Sequence, residues 1–246
     1  DLSARVRGRE KPVKTDFIVG ENVAISPGKV IFRNELIELI QYSPATGKVS
    51  SEPVLIVPPW IMKYYILDLS PKNSLVNYLV EQGKTVFMIS WKNPQAEDRE
   101  VAFNDYLEQG FLQAMDAVSA VVPGQPINTV GYCIVGTLLL IGAAFLAREG
   151  DRRINSVSLF AAQGDFSEAG EIRRFLSDSQ LAFLQALMND KGYLPTTNIG
   201  GAFQSLRASD LVYKPARQRY LLGDEAPLST QSLLFLSSIS RLAALG

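Results

Sequence analysis

Short apolar runs alternate with longer amphipathic ones along this chain, and their spacing predicts most of its elements. Val30–Phe32 and Leu36–Tyr42 flank Arg33-Asn34-Glu35, the pattern of a β-hairpin. Val54–Val57 is continuously apolar and largely β-branched, as expected of a strand covered on both faces, and Pro58-Pro59-Trp60 ends it. Ser74–Gln82 reads as a short helix stopped by Gly83, and Thr85–Ser90 as a second buried strand. From Ala102 to Val121, Phe103, Tyr106, Leu107, Phe111, Ala114, Met115 and Val118 recur at helical spacing. Ile127–Val130 predicts a third buried strand, Gly136–Glu149 a buried helix and Ile154–Ala162 a fourth strand. Strand and helix thus alternate from about residue 54 to 165, which predicts βαβ units around a parallel sheet. Beyond Gly170 the pattern changes: Phe175–Met188 is helical and apolar-rich, and no clean β run follows.

A stretch without charge, Ala117–Ala147, could be mistaken for a membrane span. A span needs about 20 mostly apolar residues in one helical run. Here Pro123, Gly124, Pro126, Asn128, Gly131 and Gly136 interrupt it, so strand, turn and buried helix fit better. The N-terminal residues are polar and charged and lack the apolar core of a secretory signal, which leaves the cytoplasm as the expected location.

Composition narrows the chemistry. The 246 residues carry 24 Lys+Arg against 25 Asp+Glu, a net charge of −1 that offers no electrostatic footprint for nucleic acid. One cysteine precludes an internal disulfide, and with no histidine a zinc site is not expected. The missing histidine also excludes a Ser-His-Asp or Cys-His-Asp triad contained wholly in this chain.

The segment richest in chemistry is Asn128-Thr-Val-Gly-Tyr-Cys-Ile-Val-Gly-Thr137, where a strand runs into small residues and a helix leaves. A nucleophile on such a turn is thrust above the carboxyl edge of the sheet. It also lies at a helix N-terminus, whose free N–H groups and positive dipole end stabilise a thiolate and an oxyanion. Gly131 stands two residues before Cys133, as the G-x-S-x-G pattern requires. Val135 occupies the second glycine's place and Gly136 follows it. Read from these residues alone, Cys133 is either a nucleophile or a small buried apolar side chain. Asp165 has two readings as well, an alternative acid after the next strand or the cap of the Phe166–Gly170 turn. Arg148, Arg152, Arg153, Arg173 and Arg174 could meet phosphates or form solvated faces.

In order along the chain, PGKVIFRNELIELIQYSP, LIVPPWIMKYYILDLSPKNSLVNYLVEQGKTVFMISWKNP, GYCIVGTLLL, DFSEAG and SLRASDLV resemble bacterial polyhydroxyalkanoate synthases over about Thr15–Pro227. The resemblance implies an α/β-hydrolase fold, mostly parallel with helices on both faces of its sheet. On this reading residues 1–14 are an arm, 15–165 the core and 166–246 part of a helical cap, with the last sheet strands missing. It implies Cys133 as the acyl nucleophile toward a (3R)-hydroxyacyl-CoA thioester, and a growing polyester as product. Backbone N–H groups of Ile134 and Ile61 would form the oxyanion hole. Trp60, Tyr64 and Tyr65 have two readings, the lining of an acyl channel or packing in the core. No cofactor or metal is implied beyond the coenzyme A of the substrate; a homodimer and a polymer-granule surface are the implied partners. Family members carry glycine where Val135 stands and typically asparagine in place of Met62, so these two side chains are expected to narrow the pocket. The family's catalytic aspartate and histidine belong beyond the cap, in a region this chain is expected not to reach. Two other readings stand beside the acyltransferase: a non-catalytic remnant that acts as an interaction partner through an open edge strand, and an esterase or thioesterase.

Overall fold

The computed structural model describes residues 18–61, 63–168, 170 and 177–194. The chain divides into two compact units: Ala24–Leu194, and Asp1–Val23 with Pro195–Gly246. In the second of these the described residues are 18–23, a turn closed by a bridge between Val19 and Val23.

The larger unit is built on a six-stranded sheet. Its strands are β1 (Gly28–Arg33), β2 (Ile37–Tyr42), β3 (Val54–Val57), β6 (Val86–Trp91), β7 (Ile127–Tyr132) and β8 (Ile154–Phe160). The spatial order is β1-β2-β6-β3-β7-β8. β1 and β2 form the expected hairpin, and β2 is also antiparallel to β6. From β6 to β8 all neighbours are parallel. A small hairpin, β4 (Asp68–Ser70) with β5 (Asn73–Ser74), stands apart from this sheet. The helices are α1 (Leu75–Glu81), α2 (Phe103–Asp105), a π-helical stretch (Tyr106–Leu112), α3 (Gln113–Val121), α4 (Ile134–Arg148) and α5 (Asp178–Lys191).

The continuously apolar strands are explained by the layers they separate. Successive side chains of a strand point to opposite faces. Leu55, Val57, Phe87 and Ile89 pack with Phe111, Ala114, Met115 and Val118 and with Val135, Leu138 and Leu139 of α4. Val54, Ile56, Val86 and Met88 point the other way and pack with Val76 and Val80 of α1. Helices therefore cover both faces of the sheet, the expected α/β architecture. Covering two faces requires apolar residues at every position, which removes the alternation a half-exposed strand would show.

The order of connections locates the site. From β3 the chain passes through α1 to β6 on one side, then through α2 and α3 to β7 on the other. Such a reversal opens a crevice at the carboxyl ends of the two central strands. Val57 and Gly131, near the ends of β3 and β7, are register partners. The segments that leave this edge are Pro58–Ile61 and the turn at Cys133.

Two details departed from the periodicity. The expected helix over 102–121 contains the π-helical stretch, at the point where Gly110 meets the buried Trp91. A Cβ on Gly110 would collide with the Trp91 indole. The expected helix over 175–188 begins outside the described residues; its described part, α5, runs on to Lys191.

Gly110→Ala tests this packing. Alanine in place of a helical glycine ordinarily stabilises by up to about 1 kcal/mol. Here overpacking against Trp91 is expected to reverse the sign and cost about 1–3 kcal/mol, read as a lower urea midpoint at unchanged slope.

Candidate nucleophile elbow at the carboxyl edge of the sheet

β7 ends at Tyr132 and α4 begins at Ile134, so Cys133 makes the whole turn. Its backbone sits at φ 59°, ψ −134°, a conformation that side-chain-bearing residues rarely adopt. The carbonyl of Cys133 accepts from the Gly136 N–H at 2.9 Å, and its own N–H donates to the Phe160 carbonyl at 2.8 Å. The side chain is partly exposed, as a nucleophile's must be, rather than buried in the core.

The turn closes because the elements around it are small. A Cβ on Gly131 would lie 2.8 Å from the Gly136 Cα and 2.9 Å from a Leu139 methyl. A Cβ on Gly136 would overlap that of Ala162. Gly131 and Gly136 face each other across the turn, and Gly136 is where helix and following loop meet. Val135 points elsewhere. It is fully buried with Leu138 and Leu139 in the core beneath the sheet. The expectation that Val135 narrows the pocket is therefore corrected: its place in the first turn of α4 directs it inward. Met62, its expected counterpart, lies outside the described residues.

Ile134, the first residue of α4, is 40% exposed. As N1 of the helix its N–H is one of those without an intrahelical acceptor. On the facing side, the Trp91 indole N–H donates to the Pro58 carbonyl at 2.6 Å and clamps the segment that leads to Ile61. Trp60 packs beside this clamp, 5.9 Å from Trp91, 4.6 Å from Tyr106 and 6.1 Å from Phe103 between ring centroids. Tyr64 and Tyr65 meet edge to face at 5.3 Å; Tyr65 is buried, and Tyr64 packs on the α1 side of the sheet. Cys133 and Ile134 follow β7, and Trp60 and Ile61 follow the neighbouring parallel strand β3, so both pairs leave the same edge of the sheet, whereas Tyr64 packs against a different layer from Trp60.

Several of the other polar residues have structural occupations. Asp165 accepts from the Ser167 N–H at 2.9 Å, and this backbone hydrogen bond holds its carboxyl below the usual carboxylate range. Its geometry is that of the turn cap. Arg148 pairs with Glu149, and Arg153 with Asp151 and Asp116; Arg173 and Arg174 lie outside the described residues. Tyr132 is half-buried beside the turn, and burial, then the neighbouring Cys133, push its phenol up. Asp68, buried in the β4–β5 hairpin, accepts the Ser26 and Ser74 hydroxyls at 2.6 Å each. Sequence reasoning passed over Trp91 and Thr137, although the tryptophan that ends a buried strand was a visible signal. Among the described residues no cluster could hold a metal ion, and no helix is long and apolar enough to cross a membrane.

The sequence is similar to known proteins over most of its length. Residues 5–79 match the family model "Poly-beta-hydroxybutyrate polymerase (PhaC) N-terminus". The chain is 40% identical over 228 residues to a poly(3-hydroxyalkanoate) polymerase of Methylorubrum extorquens, covering 93% of this chain and 38% of the relative. It is also 40% identical over 241 residues to the Rhizobium meliloti (strain 1021) polymerase subunit, covering 97% and 39%. This chain belongs to the polyhydroxyalkanoate synthase family. It spans about two fifths of the length of those curated relatives. Among solved structures, a probable hydrolytic enzyme from Pseudomonas aeruginosa PAO1 aligns over 87% of this chain and 61% of its own, at TM-score 0.46 and 9% identity.

The close approach of β7 and α4 predicts the effect of Gly136→Ala. Its methyl has no space beside Ala162, so the turn must open. Overpacking of this kind costs about 1–3 kcal/mol. Thermal unfolding should fall, and alkylation of Cys133 by iodoacetamide in the folded protein should change while Ala143→Ser, on the same helix but away from the turn, leaves it unaltered.

Proposed function

We propose that this chain carries the acyl-accepting half of a polyhydroxyalkanoate synthase reaction, with Cys133 as nucleophile. The observation that supports the reading best is the backbone of Cys133: it alone links β7 to α4, at positive φ, with its side chain at the carboxyl edge. The thiolate sulfur attacks the carbonyl carbon of a (3R)-hydroxyacyl-CoA thioester. The carbonyl oxygen becomes an oxyanion, for which the Ile134 N–H at the start of α4 and the Ile61 N–H on the Trp91-clamped segment are the donors. Collapse expels coenzyme A as its thiolate, which takes up a proton, and leaves the acyl group on Cys133. Exchange of one thioester for another is close to isoenergetic, so no cofactor is needed beyond the coenzyme A of the substrate.

The chain contains no histidine, so the residue that activates thiols and hydroxyls in cysteine acyltransferases has no counterpart within it. The proton of the Cys133 thiol therefore passes to solvent when the thiolate forms, and the departing coenzyme A thiolate takes one up from solvent. The polyester product, a homodimer, a polymer-granule surface and a cytoplasmic location complete the proposal and rest on family membership.

The test is single-turnover acylation. Incubation with 3-hydroxybutyryl-CoA should release coenzyme A in stoichiometric proportion to protein, with the acyl mass retained on the peptide that contains Cys133. Cys133→Ala should release none. Equal release by Cys133→Ala, or an unmodified Cys133 in the wild type, overturns the proposal.

A further inference from the structure

β7 and β8 end together, and both continue in an unusual way. Tyr132 and Phe160 are register partners, and the residues that follow each, Cys133 and Ala161, both adopt positive φ, 59° and 47°. The second turn carries the chain from β8 across the first turn of α4. Three contacts join the two turns there. The Cys133 N–H donates to the Phe160 carbonyl at 2.8 Å. The Thr137 hydroxyl donates to the Gln163 carbonyl at 2.7 Å. Between these, Gly136 lies against Ala162 with no room for a Cβ.

We propose that residues 160–163 form a strap that holds the nucleophile's backbone, and that Thr137 is the positioning residue that locks it. The hydrogen bonds at the turn are partitioned in a way that requires the strap. A threonine one turn into a helix can return its hydroxyl to the carbonyl four residues back, here that of Cys133. Thr137 instead spends it on Gln163, outside the helix, while Gly136 N–H serves the Cys133 carbonyl. The Cys133 N–H faces Phe160 and is not free to serve an oxyanion. That leaves the Ile134 N–H as the donor at this end, with its direction set by the peptide that the strap grips.

The strap also makes the reacting edge depend on β8. Among the described residues β8 pairs only with β7, and Val157, Leu159 and Phe160 are exposed. The nucleophile is thus held from β8 as well as from β7. The same strap leads through the Asp165 turn toward the segment that carries α5.

The orientation of Ile134 matters only if Cys133 is the acyl nucleophile, so that part rests on the proposed function; the strap itself does not. Amide hydrogen exchange resolved at single residues tests it directly. In the wild type, the Cys133 amide should be protected, in contrast to ordinary helix-flanking amides. In Thr137→Val, exchange at Cys133 should accelerate about tenfold, the loss of one neutral hydrogen bond, with Leu55 and Phe87 unchanged. Thr137→Ser keeps the hydroxyl and should restore protection. An unprotected Cys133 amide in the wild type overturns the strap without any variant. So does unchanged exchange in Thr137→Val, equal acceleration at Leu55 and Phe87, or failure of Thr137→Ser to restore it. A second arm compares acylation by 3-hydroxybutyryl-CoA with alkylation by iodoacetamide, which needs no oxyanion donor. Thr137→Val should slow the first and spare the second; equal loss of both overturns the assignment of Thr137 as a positioning residue. If the wild type is not acylated at all, the proposed function fails while the exchange result still decides the strap.

Discussion

How closely helix α4 can approach strand β7 governs the carboxyl edge of this protein. One residue makes the turn between them, and it does so with a left-handed backbone. Such a turn is tolerable only where neighbouring side chains are absent, and Gly131 and Gly136 supply that space from its two sides. With a methyl at either position the helix would have to move outward. Its N-terminal N–H groups would then no longer converge on the edge where Pro58–Ile61 leaves β3. The strain at Cys133 persists because hydrogen bonds from the Cys133 amide, the Gly136 amide and the Thr137 hydroxyl surround it.

The rest of the sheet holds this edge in place. β3 and β6 are buried on both faces, so their positions are determined by helices above and below rather than by one layer. Trp91 extends that rigidity to the loop opposite the cysteine. Its ring fills the space left by Gly110, and its N–H grips the Pro58 carbonyl. A buried indole N–H without an acceptor is costly, so the clamp stabilises the loop and the tryptophan together. The two sides of the candidate site are thus held by different means. One depends on close backbone packing, the other on an aromatic cluster in which Trp60, Trp91 and Tyr106 meet.

Much of this was legible in the sequence because the relevant forces are local or periodic. Val54–Val57 and Val86–Ile89 announce strands covered on both faces by lacking polar positions altogether. Ala114, Met115 and Val118 mark the buried side of α3 by their spacing. Cys133 stood out through a strand, a glycine and a helix in succession. What could not be read was which side of the turn each neighbour faces. Val135 looked like an obstruction because it occupies a glycine's place in a motif. Whether it points into the pocket or the core depends on the angle at which α4 leaves the turn, and that angle is set by Gly131, Gly136 and Ala162 together. The π-helical stretch was hidden for a similar reason, since it answers to the bulk of Trp91, a residue of another element.

The sequence by itself determined the α/β class, the strands of the main sheet and the longer helices within a few residues, the lone cysteine at a strand-to-helix turn and the absence of histidine. These follow from composition and from periodicities of two and 3.6 residues that each element imposes on its own chain. Only the tertiary structure decided that Val135 turns inward, that Tyr64 and Trp60 face different layers, that Trp91 clamps Pro58 and that Thr137 reaches Gln163. Each of these depends on a contact between residues distant in sequence, and no local pattern encodes such a contact. It exists only once the sheet has brought the two segments together.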